Sequence, residues 1–258
     1  MSLLPSHIER IVSEHYVFRF GDYISRGFQL VNRNVGAFIG FIIVYFLIAL
    51  ALGIIPVIGQ LASFIISPAL AIGIYIGAYK LDRQEDVQFG DFFKGFEKLG
   101  PLFLTNILVA LFVVAAAIPG IALMVSAGIS SFNDYDGLDS MFSNPLFWAG
   151  VVVGFLPALY FGVSYIFAPM FVWFYNLDTW PAMEASRKLV GRQWTTHAVF
   201  LLVIGLVAVA GIILLGFGLL YTVPASQCAL YAAFADITGL NEEEEGEGDI
   251  IDHFVPAP

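Results

Sequence analysis

Most of this chain consists of long apolar stretches, separated by shorter stretches in which charged and apolar residues follow a helical spacing. A run of about 20 apolar residues can cross a hydrocarbon core of about 30 Å as a helix. Six runs are long enough, so the sequence predicts six transmembrane helices that pair into three helical hairpins. Their approximate bounds are 35–55, 61–80, 101–119 or 101–126, 146–175, 195–215 and 219–235.

A charged amphipathic stretch precedes each predicted hairpin. The apolar residues of each stretch fall on one side of a helical wheel, and the Lys and Arg residues fall on the other side. This pattern is typical of a helix lying along a membrane surface, so we predict three cytoplasmic interfacial helices. The residues on the apolar side are Ile24, Phe28, Val31 and Val35 in the first stretch, Phe89, Phe92, Phe93, Phe96 and Leu99 in the second, and Ala182, Met183, Ala185, Ser186, Leu189, Val190 and Trp194 in the third.

The composition agrees with an all-α, polytopic membrane protein. Hydrophobic residues make up 59% of the chain and charged residues 12%, whereas a typical soluble domain contains about 25% charged residues. We therefore predict a membrane domain at 35–237, an N-terminal amphipathic segment at 1–34 and an acidic tail at 238–258. The single cysteine, Cys228, excludes an internal disulfide and cannot by itself form a thiolate metal site.

The positions of the Lys and Arg residues predict the orientation of the chain. All eleven lie in the N-terminal segment, between the second and third spans, or between the fourth and fifth spans. With six spans these three regions share one side of the membrane, and basic connections remain in the cytoplasm. We predict a multi-pass protein of the bacterial inner membrane with both termini cytoplasmic.

The three predicted hairpins also share sequence features. LVNRNV at 30–35 resembles LVGRQW at 189–194, and each returning span carries a proline, then an aromatic residue, then Asp82, Asp178 or Asp236. This order predicts an internal threefold repeat in which the proline bends the returning helix and the aspartate lies just beyond the lipid. The alternative is that membrane helices commonly end in aromatic and polar residues without being repeated units.

Several motifs in the second half of the chain resemble those of a known group of membrane proteins. The motifs are IPGI at 118–121, Ala-x-x-Ser-x-x-Leu-x-x-Gly at 182–191 with Trp194 beyond it, GFGLL at 216–220, and VP at 223–224 followed by Tyr231. From about residue 92 onward the chain is similar to bacterial six-span membrane proteins of unknown function, related to the membrane domain attached to some glycerophosphodiester phosphodiesterases. The phosphodiesterase activity belongs to an attached soluble domain, so the resemblance implies a helical membrane domain without established chemistry.

Asp, Glu, Lys and Arg are absent from the middle of all six predicted spans. An enzyme or an ion-coupled pump would be expected to hold such groups at membrane depth, where their cost is tolerated for function. The sequence also lacks a zinc-binding spacing, a nucleophile elbow and a phosphate-binding glycine loop. We therefore predict no catalytic, cofactor-binding or metal site, no enzymatic activity and no nucleic-acid partner. His197, at the start of the fifth span, is interpreted as an interfacial anchor.

Three kinds of candidate residues remain. Basic and aromatic residues of the amphipathic stretches are candidates for contacts with anionic headgroups, and simple topological anchoring is an equally good explanation. Polar residues in the spans could line a small cavity or form hydrogen bonds between helices. The candidates are Arg26, Arg33, Lys94, Lys98, Arg187, Lys188, Arg192 and Trp194 at the lipid interface, Ser67, Asn106 and Gln227 in a cavity, and Ile250, Ile251, His253 and Phe254 for binding a protein partner.

Two functions are consistent with these features. The first is a non-enzymatic membrane protein that acts by association with lipid and a protein partner, in an accessory or scaffold role. The second is a transporter or permease for a lipid-like or small neutral substrate. A polar cavity open to one side would favour the second function, and a densely packed interior would favour the first. The sequence leaves the cargo and the oligomeric state open.

Overall fold

The structure of the protein, a computed structural model, describes residues 4–13, 15–131, 141–214 and 216–241. The described residues are helical, with no strand among them, and the predicted all-α class is confirmed. Within the described residues the ten α-helices are α1 (Ser6–Ser13), α2 (Phe20–Arg33), α3 (Val35–Gly53), α4 (Ile58–Asp82), α5 (Leu99–Ser131), α6 (Pro145–Ser164), α7 (Ala168–Phe174), α8 (Thr179–Gly191), α9 (Trp194–Ala210) and α10 (Leu219–Thr238), and 3-10 segments occupy Phe89–Lys98 and Gly211–Leu214.

Five segments of the described chain are long and apolar enough to cross a membrane, which indicates a multi-pass membrane protein. Much of their surface consists of exposed apolar side chains, as expected where a helix faces lipid tails. In α3, for example, Phe38 and Phe41 are buried, whereas Phe46 and Leu50 are largely exposed. The five segments are Val35–Gly53, Ile58–Asp82, Phe89–Ile129, Pro145–Phe174 and Trp194–Ile213.

The predicted sixth span forms helix α10, which is not one of these five segments. Its sequence contains several alanines together with polar residues such as Ser226 and Gln227, so it presents little apolar surface. Thirteen of its 20 residues are buried, and it contacts α2, α3, α4 and α9. Helix α10 is therefore the central helix of the fold, and other helices cover it.

The predicted hairpin of α3 and α4 is present and closes in a tight turn. The N–H of Ile58 donates to the carbonyl of Pro56 at 2.7 Å, and Val57 between them has φ 64° and ψ −63°. This is a γ-turn of the strained type, in a conformation that β-branched residues rarely adopt. The turn allows α4 to return directly along α3.

Helices α5 and α6 form the second hairpin and pack extensively against each other. Gly120, in the IPGI motif, lies so close to Gly150 and Gly154 that a Cβ atom there would collide with the α6 backbone. Small residues commonly permit such close contact between transmembrane helices. Helix α5 continues to Ser131, beyond the predicted end of the third span, and residues 132–140 of the predicted acidic loop lie outside the described residues.

The predicted fourth span is divided into α6 and α7 by a break at 165–167. Pro169 stands in the first turn of α7, where its missing N–H removes no helical hydrogen bond. Pro157 lies inside α6, which continues past it. The break in this span therefore lies just before Pro169, the second of its two prolines.

The second predicted interfacial helix is instead a 3-10 segment that packs against α4. Phe92 is fully buried there, and its ring stacks on Phe41 of α3 at a centroid distance of 4.9 Å. Gly73 and Gly77 of α4 leave the space that Phe92 occupies. We predicted that the apolar face of this segment contacts lipid, but its central residue, Phe92, contacts protein. Hydropathy does not distinguish an apolar side chain that faces lipid from one that faces protein.

Candidate functional site

Each amphipathic segment packs on the returning helix of a hairpin other than its own. The 3-10 segment, which precedes the second hairpin, lies against α4 of the first. Helix α8, which precedes the third hairpin, lies against α6 and α7 of the second. Helix α2, which precedes the first hairpin, lies along α10 of the third. The three hairpins are therefore joined in a closed cycle of contacts.

A small residue stands at each of these contacts. A Cβ atom on Gly27 of α2 would lie 2.5 Å from the carbonyl oxygen of Ala225 in α10. A Cβ atom on Gly95 of the 3-10 segment would collide with the carbonyl of Ala69 in α4. In α8 the residue is Ser186, which stands three residues before the Leu-Val pair of LVGRQW, just as Gly27 precedes the Leu-Val pair of LVNRNV.

Ser186 binds the break between α6 and α7. Its hydroxyl donates to the carbonyl of Ser164 at 2.8 Å and accepts from the N–H of Phe167 at 3.2 Å. The side chain of Ser186 is completely buried. The hydroxyl thereby satisfies two buried backbone groups for which the interrupted helix provides no partner.

Asp82, at the end of α4, is the centre of a buried polar cluster. Its side chain is only 5% exposed, and Arg26 of α2 donates to both of its carboxylate oxygens at 2.7 Å. Asn241 and Tyr231 also donate to this carboxylate. The folded body therefore extends to Asn241, a few residues beyond the predicted start of the tail at 238.

Asp236, near the end of α10, is bound in a similar way by the N-terminal segment. Arg19 donates to one carboxylate oxygen, and the Tyr23 hydroxyl donates to the other at 2.6 Å. The nearby Asp236 charge raises the pKa of Arg19, so the guanidinium stays charged. The third repeated aspartate, Asp178, is exposed and does not cap α8 through its side chain.

The N-terminal segment is also attached to α8 and α9. The Tyr16 hydroxyl donates to the carbonyl of Leu189, and Gln193 donates to the carbonyl of Tyr16. Burial raises the pKa of Tyr16 to about 12. His197, which we interpreted as an interfacial anchor, is instead 1% exposed and packs its ring edgewise against Phe18. The sequence did not show that residues 16–18 cover this part of α9.

The three basic regions of the sequence lie in one layer, which we call the basic face. Arg26 of the first region binds Asp82 beside the second, and Lys98 of the second binds Asn176 beside the third. Tyr16 of the first region binds Leu189 in the third. The basic face is made of residues 10–33, 80–98 and 176–192.

Some of the predicted lipid-interface residues direct their polar groups into the protein. Lys98 donates to the carbonyls of Val172 and Trp173 at the end of α7, where a cation also complements the helix dipole. Arg33 donates to the carbonyl of Leu81. The Trp194 indole donates to the carbonyl of Tyr160 at 3.3 Å.

The remaining predicted interface residues lie at the surface of the basic face. Lys94 pairs with Asp91 at 2.8 Å. Arg187 forms a double hydrogen bond with Glu184, which lowers the pKa of Glu184, and Lys188 lies 3.7 Å from the same carboxylate. Arg192 is exposed. Both cations therefore face the Glu184 carboxylate, and Arg187 forms the closer pair.

The predicted cavity residues are in three different environments. Gln227 of α10 accepts a hydrogen bond from the hydroxyl of Tyr75 in α4. Ser67 lines a lipid-exposed groove of about 360 Å³ between α3 and α4. Asn106 is half-buried on α5. The structure therefore does not assemble these residues into one polar cavity, and it favours the alternative of hydrogen bonds between helices for Gln227.

A cavity of about 720 Å³ lies on the basic face, where the N-terminal segment meets the end of α10. Arg10, His15, Arg19 and Tyr16 line one side, and Asp236 lies on the other. No pattern in the sequence predicted Arg10, His15, Tyr16 and Arg19 as parts of a site, whereas Asp236 was one of the repeated aspartates. The repeated aspartates could have indicated them, because a carboxylate just beyond the lipid requires polar or basic partners.

The predicted partner-binding residues of the tail, Ile250, Ile251, His253 and Phe254, lie outside the described residues. Within the described chain no cluster of His, Cys, Asp and Glu could hold a metal ion. Comparison of the chain with protein-family models, curated proteins and solved structures finds no match. The functional argument therefore rests on the site itself.

Proposed function

We propose that this protein is a non-enzymatic membrane protein of the bacterial inner membrane that acts by association with anionic lipid and a protein partner. The basic face lies in the cytoplasm together with both termini. The predicted tail residues remain candidates for binding the partner. The resemblance to six-span membrane proteins and the threefold repeat belong to the same proposal.

The sixth span in this proposal is α10. It is 20 residues long, enough to cross the hydrocarbon core, and eight residues separate it from the end of α9 in the sequence. The helices around α10 contact lipid in its place, so α10 does not need an apolar surface of its own. When α10 is counted as the sixth span, the start of α3 and the end of α10 both lie on the side of the membrane that holds the basic face.

The packing around α10 is the observation that carries the proposal. Gln227 is the most polar side chain in the middle of a predicted span, and its carbonyl group is bound by Tyr75. Its neighbours Ser226 and Cys228 are buried. A transporter would be expected to keep such a side chain beside a cavity that opens to one side, and here it joins two packed helices.

The cycle of contacts supports the repeat. Three amphipathic segments cover three returning helices in the same order, with a small residue at each contact. Helix ends that resemble one another without being repeated units would not be expected to pack in this arrangement. A repeated unit of amphipathic segment, span and returning span explains it directly.

A permease for a lipid-like substrate is the second candidate. The groove between α3 and α4 favours it, because Gly53, Gly59, Ser63 and Ser67 give this lipid-exposed surface small and polar side chains. In proteoliposomes, a permease would accelerate the exchange of a labelled lipid between leaflets. A rate equal to that of protein-free vesicles would leave association as the function.

Native mass spectrometry tests the association. The full chain is placed in nanodiscs of phosphatidylcholine with a minor fraction of phosphatidylglycerol, and the lipids that remain bound are counted. We expect phosphatidylglycerol to be enriched above its bulk fraction, because charges near the surface contribute about 1 kcal/mol each. Retention of the two lipids in their bulk ratio would overturn the proposed association with anionic lipid.

A further inference from the structure

The 720 Å³ cavity on the basic face combines fixed and exposed cationic groups. Arg10, His15 and Arg19 line it, together with residues at the end of α10. Arg19 is held in place because its Nη2 donates to Asp236, whose second oxygen accepts from Tyr23. The side chain of Arg19 is nevertheless 58% exposed. One edge of the guanidinium is thus anchored, and its other N–H groups remain available as donors to a ligand.

In the proposed topology the cavity lies near the membrane boundary. Phe18 and Phe20, on either side of Arg19 in the chain, both pack against Phe200 at ring distances of 5.2 and 5.3 Å. Phe200 stands six residues after Trp194, where the membrane-spanning segment of α9 begins. Six helical residues correspond to about 9 Å. Arg19 is therefore close to the boundary at which phosphate groups lie.

The rim of the cavity has one strongly exposed apolar residue. Val17 is 80% exposed and lines the cavity beside the cationic groups. An exposed valine next to arginines suits a site that receives a headgroup and the start of an acyl chain. Arg10 and Arg19 both line this cavity. Cationic groups beside an exposed apolar residue favour an amphiphilic ligand with a negatively charged headgroup.

We propose that this cavity is a specific site for an anionic phospholipid, with Arg19 and Arg10 binding the phosphate group. This inference rests on the proposed association with anionic lipid and assigns it to one place on the basic face. Asp236 positions Arg19 and is occupied by Arg19 and Tyr23, so its charge is largely compensated within the protein. His15 lines the cavity as an exposed side chain.

The test measures binding of short-chain phosphatidylglycerol to the full chain in neutral detergent by native mass spectrometry. We expect Arg10→Gln and Arg19→Gln each to weaken binding about fivefold, the ratio equivalent to about 1 kcal/mol per charge. Arg83→Gln removes a positive charge from the basic face outside the cavity and should leave binding within twofold of the original. Thermal unfolding of every variant shows whether folding is intact.

Arg19→Gln removes the arginine that binds Asp236, so this variant is the one at risk of not folding. Arg10→Gln and His15→Ala leave that pair intact and keep the test decisive. Short-chain phosphatidylcholine should bind at least fivefold more weakly than phosphatidylglycerol. Equal displacement of the lipid by inorganic phosphate at the same concentration would show a site for soluble anions and overturn the lipid assignment.

The outcomes separate this inference from the proposed function. If the original protein retains phosphatidylglycerol and all cavity variants retain it equally, the cavity site is overturned and the general association stands. If the original protein shows no preference for phosphatidylglycerol over phosphatidylcholine, both are overturned. Weaker binding in Arg10→Gln but not in Arg83→Gln supports the site.

Discussion

Arg26 binds Asp82 through both Nε and Nη2, at distances of 2.7 to 3.1 Å, and thereby joins α2 to the end of α4. The Asp82 side chain is 5% exposed and the Arg26 side chain 39% exposed. The Asp82 carboxylate is therefore shielded from solvent, whereas the Arg26 guanidinium is only partly shielded. Removing the arginine would leave it with Asn241 and Tyr231 as donors but without a compensating charge.

We expect Arg26→Gln to lower the free energy of unfolding by about 1–3 kcal/mol, because it leaves a buried charge uncompensated while solvent screening limits the loss. The double variant Arg26→Gln with Asp82→Asn should recover most of this loss. Thermal unfolding in detergent measures both variants. Equal destabilisation by the single and double variants would contradict the charge explanation.

Gly27 tests the contact between α2 and α10. Gly27→Ala should destabilise the protein by about 1–3 kcal/mol, because the added methyl group meets the carbonyl of Ala225 at 2.5 Å. Gly21→Ala is the matched control in the same helix, where an added Cβ meets nothing within 4 Å. The control should be neutral or stabilising, since alanine favours a helix over glycine. Similar losses of stability in both would show that α2 does not pack as described.

Ser186→Ala removes a buried hydroxyl that serves two backbone groups at the break between α6 and α7. We expect a loss of about 1–3 kcal/mol, because the Phe167 N–H and the Ser164 carbonyl lose this partner. Ser126→Ala is the control, since Ser126 is exposed and donates only within its own helix. Unfolding midpoints of the two variants provide the comparison, and equal midpoints would argue against a structural role for Ser186.

Val57→Gly should stabilise the hairpin of α3 and α4. Glycine adopts the positive φ of this γ-turn without the strain that valine carries, and such strain is about 1–3 kcal/mol. Ile58→Gly, at the next exposed apolar position, has no positive φ to relieve and should not stabilise. A higher unfolding temperature for Val57→Gly alone is the expected result. The opposite order would show that the turn has another conformation.

The orientation can be tested by labelling single cysteines with a membrane-impermeant maleimide in intact spheroplasts. Native Cys228 is buried and should remain unlabelled until the protein is denatured. A cysteine introduced by Gln60→Cys, in the first turn of α4, should react from outside. A cysteine introduced by Gln84→Cys, just after α4, should react only when the membrane is opened. The reverse pattern would invert the proposed topology.

Five of the predicted spans coincide with candidate spans in the structure, because long apolar helices exposed to lipid have a strong hydropathy signal. The contact face of α2 was harder to predict. Periodicity identified Val31, which is buried, and Ile24 and Phe28, which are partly buried, but it did not identify the buried residues Gly27 and Leu30. A glycine adds no apolar area, so hydropathy overlooks the position at which two helices approach most closely.

The candidate site was predicted only in part. The Lys and Arg residues are confined to three regions of the sequence. This pattern did predict that the three regions lie in one layer, because charged side chains are excluded from the lipid. The cavity could not be predicted, because it depends on residues 10–19 meeting residues 236–239, which are distant in sequence. The repeated Asp236 was a visible signal, but the sequence alone did not identify Arg19 as its partner.

The concealed position of α10 has a consequence for how the protein is made. A helix with so little apolar surface gains little from entering the bilayer alone. It is also synthesised after the other nine helices of the described chain. We therefore expect that α10 inserts only after α2, α3, α4 and α9 have packed together and formed the surface that it contacts. Biogenesis would then end with the step that links the third hairpin to the first, and nascent chains lacking α2 would leave α10 exposed to quality-control proteases.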